Sequence, residues 1–146
     1  PLFADLATSL TGVDLSPNML ELAKRQGAYN TLVCKDALQY LQDQKVDSFD
    51  LIIAADVFVY FGDLSAVFKA CSRVLTESGY FCFSIETLTE DADYQLMPTG
   101  RYAHRITFIE AIVKETGFSM LYQASDTLRT QDDIPVIGHI FVLQKA

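Results

Sequence analysis

Short apolar runs alternate along the chain with segments in which apolar residues recur at helical spacing. The runs at residues 10–14, 31–34, 49–55 and 80–86 have the length of β-strands, and the segments that separate them predict helices. Residues 49–55 are apolar almost throughout, which predicts a central strand covered on both faces of a parallel sheet. The pattern therefore favours an α/β fold.

Capping residues mark where the predicted helices begin and end. Ser16 followed by Pro17 suits an N-cap and the first helical position, and Asp36 suits the N-cap of a second helix. The segment from Thr107 to Glu110 has the form of a capping box, and Gly117 suits the end of the helix that it opens.

The last two predicted strands, at residues 118–124 and 137–144, have only a polar connection between them. Strands joined without a helix are expected to pair antiparallel. We therefore predict a doubly wound, Rossmann-like sheet that is mostly parallel and ends in an antiparallel C-terminal strand, within a single domain over residues 1–146.

Composition excludes several classes of function. Of the 146 residues, 50% are hydrophobic and 21% are charged, and the formal net charge of −8 disfavours bulk binding to nucleic acid or anionic membranes. No apolar stretch approaches the roughly 20 residues that span a bilayer. The cysteines Cys34, Cys71 and Cys82 are odd in number and widely spaced, which predicts reduced core thiols in a cytoplasmic protein without a metal site.

Acidic residues follow the first two predicted strands, at the sheet edge where such folds bind ligands. Asp14 can accept hydrogen bonds from a ribose diol, and Asp36 with the Ala37 backbone N–H can bind the edge of an adenine. Both positions have a simpler interpretation, because each aspartate also suits the cap of the helix that follows it. The ligand interpretation fits any adenosine-type cofactor.

Three segments resemble class I S-adenosylmethionine-dependent methyltransferases: GVDLSPNML from Gly12, CKDA from Cys34 and FDLIIAADV from Phe49. Two later segments, YFGDL from Tyr60 and GRYAH from Gly100, resemble the bacterial branch often fused to tetratricopeptide repeats. The family's first strand and glycine-rich loop have no counterpart here, so the resemblance predicts a methyltransferase domain truncated at its N-terminus.

The resemblance implies S-adenosylmethionine as the cofactor and assigns roles at the ends of the first two strands. Asp14 is expected to hold the ribose hydroxyls, Leu15 to pack on the adenine, and Asp36 with Ala37 to bind the adenine edge. A further pair, Asp56 and Val57, follows the central strand. The resemblance places that pair near the methionine part and the methyl group.

Catalytic residues are harder to assign, because methyl transfer from a sulfonium needs mainly alignment. The candidates are His104, which also suits a loop hydrogen bond, and Tyr60, which also suits packing. His139 is expected to be structural and far from the ligand edge. Arg101 and Arg105 either receive an acidic substrate or neutralise acidic neighbours. They lie in residues 87–105, a segment long enough to predict a mobile lid or a substrate-facing insertion.

The sequence thus predicts S-adenosylmethionine-dependent methyl transfer to a small-molecule or protein acceptor. One alternative is a methyltransferase-like module that binds without catalysis. Another is an NAD-dependent oxidoreductase, because Asp14 would serve an NAD ribose equally well. The Asp36–Ala37 pair and the antiparallel last strand weigh against that alternative.

Overall fold

Eight strands and four α-helices follow one another along residues 3–146, the part of the chain that this computed structural model describes. The strands are β1 (Thr11–Asp14), β2 (Thr31–Cys34), β3 (Phe49–Ala54), β4 (Leu75–Thr87), β5 (Tyr94–Leu96), β6 (Tyr102–His104), β7 (Phe118–Gln131) and β8 (Ile134–Lys145). The helices are α1 (Pro17–Arg25), α2 (Ala37–Asp43), α3 (Ser65–Val74) and α4 (Ile106–Glu115). The described chain divides into two compact units, one ending at Gln44 and the other beginning at Lys45.

The first unit is a β-α-β-α segment whose helices begin where the capping signals predict. Strands β1 and β2 pair in parallel, with Asp14 opposite Cys34. The Ser16 hydroxyl accepts a hydrogen bond from the Met19 backbone N–H at 3.4 Å, and α1 begins at Pro17. Gly27 follows that helix with φ 68°, a left-handed conformation that glycine adopts without strain.

The second unit is a six-stranded mixed sheet built around β4. Strand β8 runs antiparallel along one side of β4, and β7 pairs antiparallel with β8 beyond it. On the other side of β4, β3 and then β6 pair in parallel, and β5 pairs antiparallel with β6. The antiparallel C-terminal strand is therefore confirmed, and its place between β4 and β7 lets those two strands run in the same direction.

A cluster of phenylalanine rings forms the core of the second unit. Phe68 on α3 is completely buried, and its ring centroid lies 5.2 Å from those of Phe81 and Phe83 on β4. Phe83 in turn stacks on Phe141 of β8 at 4.9 Å. Because buried aromatic side chains remove large apolar areas from water, this cluster holds α3 and the β4–β8 pair together.

Strand β3 is less covered than its apolar sequence predicts. Side chains alternate between the two faces of a strand. Leu51 and Ile53 point to one face and are 38% and 40% exposed. Ala54, which points the opposite way, is only 8% exposed. The prediction that the strand is covered on both faces is therefore wrong for the described residues, because only one face is packed.

The predicted capping box is also wrong. Helix α4 begins at Ile106, so Thr107 lies inside its first turn, and Arg105 is the N-cap without a side-chain capping bond. The Arg105 N–H is held outside the helix by a hydrogen bond to the carbonyl oxygen of Asp93 at 2.9 Å, and the Arg105 carbonyl accepts the first bond of the helix, from Ile109 at 3.2 Å.

Two segments carry strands that the sequence did not predict, the polar connection before residue 137 and the insertion at residues 87–105. Residues 125–131 and 134–136 continue β7 and β8 to a two-residue turn at Asp132 and Asp133, which have φ of 50° and 62°. Positive φ at both turn residues matches the twist of a hairpin. Within residues 87–105, β5 and β6 are hydrogen-bonded to each other and β6 to β4, so this insertion extends the sheet.

None of the helices within residues 3–146 is long and apolar enough to cross a membrane.

Candidate functional site

Asp14 lies at the carboxyl end of β1, and one of its two carboxylate oxygens already accepts a hydrogen bond within the protein. Its Oδ1 accepts a hydrogen bond from the Ser16 N–H at 2.7 Å, which holds the turn into α1. Its backbone carbonyl accepts from the Lys35 N–H at 3.1 Å, which ties this point to the end of β2. The second oxygen of the half-buried carboxylate is suited to accept from a hydroxyl pair.

Asp36 and Ala37 stand at the carboxyl end of the neighbouring strand β2. Asp36 caps α2, since its Oδ1 accepts from the Gln39 N–H at 2.9 Å. Ala37 is the first residue of that helix, so its N–H has no acceptor within the helix. A carboxylate acceptor and a backbone donor side by side match the paired donor and acceptor on an adenine edge.

Leu15 exposes apolar surface at the same sheet edge. It follows Asp14 directly and is 69% exposed, and its carbonyl oxygen lies 3.5 Å from the Cys34 Sγ. The structure therefore brings Asp14, Leu15, Asp36 and Ala37 together at the carboxyl edge of β1 and β2. An exposed leucine beside hydrogen-bonding groups is suited to stack against a flat heterocycle.

In the second unit, Asp56 and Val57 follow β3 at the carboxyl end of that strand. Asp56 has φ 55°, an uncommon conformation for a residue other than glycine. Its backbone N–H donates to the Oγ of buried Ser84 on β4 at 2.9 Å, which holds the turn. Val57 leads into a 3-10 helix, Phe58–Tyr60. That Asp56 faces the same cofactor as Asp14 stays a prediction.

Arg129 joins the carboxyl ends of β3 and β4. Its Nη1 lies 2.5 Å from Asp56 Oδ1, and its Nη2 is hydrogen-bonded to Oε1 of buried Glu86. Arg101, just before β6, places its Nη1 3.6 Å from Asp56 Oδ2 and its guanidinium carbon 5.9 Å from the centroid of the Tyr60 ring. We call these five residues the arginine–carboxylate cluster.

His104 is completely buried. Its Nε2 lies 2.8 Å from the carbonyl oxygen of Gly62, so this nitrogen donates and carries the proton. Burial lowers the pKa of His104, against opposing effects of the Gly62 and Phe61 carbonyls and of the Glu86 charge. A neutral, enclosed imidazole is suited to joining β6 to the loop at Gly62 and not to meeting a substrate.

Tyr60 and His139 lie elsewhere than one interpretation of the sequence suggested, which was core packing for Tyr60 and a position far from the ligand edge for His139. Tyr60 is 68% exposed, so its ring is a surface feature and not core packing. His139 pairs with Ile85 in the β4–β8 ladder, and its Nδ1 lies 3.1 Å from the Thr87 hydroxyl. The expectation that His139 lies far from the ligand edge is wrong, because β8 runs antiparallel and brings it to the carboxyl end of β4.

The three cysteines are free thiols in different surroundings. Burial raises the pKa of the Cys71 thiol to about 12 and also raises the pKa of Cys82. Cys34 is exposed, which corrects the expectation of a core thiol. Across residues 3–146 no three His, Cys, Asp or Glu side chains are grouped so that they could hold a metal ion.

Sequence reasoning missed Arg129 and Ser84. Arg129 falls in the segment that read as a polar connection, although β-branched residues flank the Asp132–Asp133 turn on both sides. That pattern, typical of a two-residue hairpin, was the signal that could have extended β7 to Arg129. Ser84 carried no signal, because a serine within a buried strand shows its partner only when the neighbouring strand is in place.

Comparisons with known proteins show the family of the chain. The sequence profile of the family described as "Methyltransferase domain" matches residues 1–83. A curated relative from Idiomarina loihiensis, named ubiquinone biosynthesis O-methyltransferase, is 31% identical over 150 aligned positions, which cover 94% of this chain. The chain spans only 58% of that relative's length.

Solved structures share the fold. A SAM-dependent methyltransferase from Methanosarcina mazei matches with a TM-score of 0.75 and 18% identity, over 99% of this chain and 85% of its own. A putative S-adenosylmethionine-dependent methyltransferase from Listeria monocytogenes matches with a TM-score of 0.73 and 19% identity, over 96% of this chain and 81% of its own. These likenesses support the α/β, Rossmann-like methyltransferase fold that the sequence predicts.

Proposed function

Because the chain belongs to the methyltransferase domain family, we propose that it forms the cofactor-binding and catalytic part of a class I methyltransferase that methylates a small-molecule or protein acceptor. The cofactor of this family is S-adenosylmethionine. The observation that carries the proposal is the pair of carboxylates, Asp14 and Asp36, at the carboxyl ends of adjacent parallel strands. Open α/β sheets bind nucleotides at that edge.

The residues present at this edge fit an adenosine. The second carboxylate oxygen of Asp14 suits the ribose hydroxyls, exposed Leu15 suits the adenine face, and Asp36 with the Ala37 N–H suits the adenine edge. Asp56 and Val57 are assigned to the methionine end in the second unit. When bound, S-adenosylmethionine supplies a methyl group on a sulfonium, so the protein's main task is alignment and exclusion of water.

The acceptor atom that we favour is a hydroxyl oxygen. The name of the Idiomarina relative supports it, since that protein is an O-methyltransferase. Enclosed His104 is a poor candidate for the base that would remove a hydroxyl proton. Exposed Tyr60 follows β3 in the 3-10 helix and lies against Arg101, which also pairs with Asp56, so we assign it to the acceptor pocket.

The same experiment distinguishes two alternative functions from this proposal. A module that binds S-adenosylmethionine without transferring its methyl group would share every cofactor contact. An NAD-dependent oxidoreductase would use Asp14 in the same way, and because NAD also carries an adenine, the titration and not the Asp36–Ala37 pair alone distinguishes it from a methyltransferase. The resemblance to the branch fused to tetratricopeptide repeats, the single domain and the cytoplasmic location also stay predictions.

The test is a calorimetric titration of S-adenosylhomocysteine and of NAD into the protein that carries this sequence. We expect S-adenosylhomocysteine alone to bind. Asp14→Ala should weaken its binding by about 1.5–3 kcal/mol, roughly 10- to 100-fold, the range for hydrogen bonds to a charged group. Asp36→Asn should weaken it less, because an amide oxygen still accepts from the adenine amine.

The matched control is Asp5→Ala, which removes an exposed carboxylate of the first unit. It should leave the affinity unchanged. Equal affinities of the Asp14→Ala variant and the control would refute the assignment of the ribose site. Binding of NAD instead of S-adenosylhomocysteine would favour the oxidoreductase. Tight binding of the cofactor with no methyl transfer to any hydroxyl-bearing compound tested would favour the non-catalytic module.

A further inference from the structure

We propose that Arg101 recognises a carboxylate group on the methyl acceptor and that the exposed ring of Tyr60 is the surface on which this acceptor lies. The proposal rests on the proposed function and adds the chemical class of the acceptor to it. It is carried by the unequal use of the two guanidinium groups in the arginine–carboxylate cluster.

Both terminal nitrogens of Arg129 are engaged by the acids of the cluster, whereas its buried Nε has no hydrogen-bond partner within residues 3–146. Its two terminal nitrogens reach two different carboxylates, Asp56 through Nη1 and Glu86 through Nη2. Its side chain is 20% exposed and that of Glu86 is 11% exposed, so this pair is largely shielded from solvent. Arg129 therefore neutralises acids that would otherwise repel an anion at this edge.

Arg101 is in the opposite situation. Its Nη1 is buried and makes no hydrogen bond within residues 3–146, and the nearest carboxylate oxygen, Asp56 Oδ2, is 3.6 Å away. That distance allows an ion pair but not a good hydrogen bond. Because Nη1 has almost no exposed surface, a ligand reaches Arg101 through the 26% of its side chain that is exposed. The long ion pair with Asp56 leaves the guanidinium charge only weakly compensated, which favours an anionic ligand there.

Arg105, in the same insertion, is an arginine that only neutralises an acidic neighbour. Arg105 forms an ion pair with Asp91 at 2.6 Å, and both side chains are more exposed than that of Arg101, at 41% and 96% against 26%. The two interpretations of these arginines thus separate: Arg105 neutralises an acidic neighbour, whereas Arg101 has donor capacity left for a ligand.

The position of Arg101 suits an acceptor site. It directly precedes β6, whose Ala103 pairs with Glu86 at the carboxyl end of β4. Its guanidinium lies over the Tyr60 ring, and this stacking restricts its orientation before any ligand binds. The result is a fixed guanidinium fork beside an open aromatic face, at the edge where Asp56 ends β3.

A carboxylate is the ligand chemistry that this arrangement favours. The planar guanidinium matches a carboxylate through two parallel hydrogen bonds. In a chain with a formal net charge of −8, an anion is repelled at long range, so a local cation must account for its binding. A neutral oxygen also accepts from the guanidinium, but without the charge that makes the hydrogen bonds to a carboxylate stronger.

The test compares two pairs of probes that differ only in charge: salicylate with salicylamide, and phenylacetate with phenylacetamide. Each probe is titrated into the protein, with and without saturating S-adenosylhomocysteine, and its dissociation constant is measured by NMR chemical shifts. In at least one pair the carboxylate should bind about 10- to 100-fold more tightly than its amide. Arg101→Gln should bring that ratio close to one.

Two further variants sharpen the result. Arg101→Lys keeps the charge but loses the fork, so it should retain only part of the preference. Arg105→Gln is the matched control in the same insertion and should leave the ratio unchanged.

A ratio near one for both pairs in the unmodified protein would overturn the proposal, and so would a preference that survives Arg101→Gln. Failure to bind S-adenosylhomocysteine would instead count against the proposed function, and the titrations without it would still decide the role of Arg101.

Discussion

The ion pair between Arg129 and Glu86 offers a sharp test of how the second unit is held together. Glu86 is buried on β4, and Arg129 reaches it from β7 across the intervening strand β8. Replacing Arg129 with Gln removes the guanidinium and leaves a buried carboxylate with its charge unpaired. Because desolvation of that charge is then no longer compensated, we expect the folded protein to lose stability.

The exposed fractions of the two side chains set the size of the effect. Removing one partner of a fully buried pair costs about 3–5 kcal/mol, whereas a surface pair contributes less than about 1 kcal/mol. Arg129 and Glu86 are 20% and 11% exposed, which is close to the buried limit but still in contact with water. We expect Arg129→Gln to lower the free energy of unfolding by about 2–3 kcal/mol, or the melting temperature by about 4–12 °C.

The assay is a double-mutant cycle measured by urea unfolding at neutral pH, with Arg129→Gln, Glu86→Gln and the double variant. The double variant should be more stable than Arg129→Gln alone, because it has no charge left to desolvate, and the coupling should exceed about 1 kcal/mol. Arg105→Gln, at a more exposed pair, should change stability by less than about 0.5 kcal/mol. Additive single effects would refute this reasoning.

Two other predictions concern His104 and Gly138. Burial lowers the pKa of His104, so below about pH 6.5 the unfolded chain binds a proton that the folded protein excludes, and stability should fall as the pH drops. Urea unfolding at about pH 7.5 and about pH 5.5 should show this loss of stability, and the loss should be smaller in His104→Asn. An equal loss in the variant and the unmodified protein would contradict the prediction. At Gly138, an added Cβ would overlap the carbonyl oxygen of Ile85 and the side chain of Leu128. Gly138→Ala should therefore cost about 3 kcal/mol, against about 1 kcal/mol for Gly27→Ala, where the space is open but φ is 68°. Equal melting temperatures of these two variants would contradict the packing argument.

Local signals in the sequence determined the elements that depend on neighbours a few residues apart. Ser16 and Asp36 cap their helices as predicted, because a capping side chain bonds to an N–H only three residues ahead. The aspartates at the ends of β1 and β2 could also be placed, because each follows a short apolar run and the carboxyl ends of parallel strands meet at one sheet edge. These residues carry most of the proposed cofactor site.

Only the tertiary structure decided which distant residues complete the second unit. Arg129 is 73 positions from Asp56 and 43 from Glu86, and no local pattern links them. Their contact depends on the order β4–β8–β7 and on a hairpin turn that carries β7 further than its apolar residues suggest. The start of α4 and the position of His139 failed as predictions because both residues involved are held by non-local hydrogen bonds, Arg105 to the carbonyl oxygen of Asp93 and His139 in the ladder with β4. Short-range capping and periodicity are encoded within a few residues, whereas the arginine–carboxylate cluster exists only once the strands have paired in register.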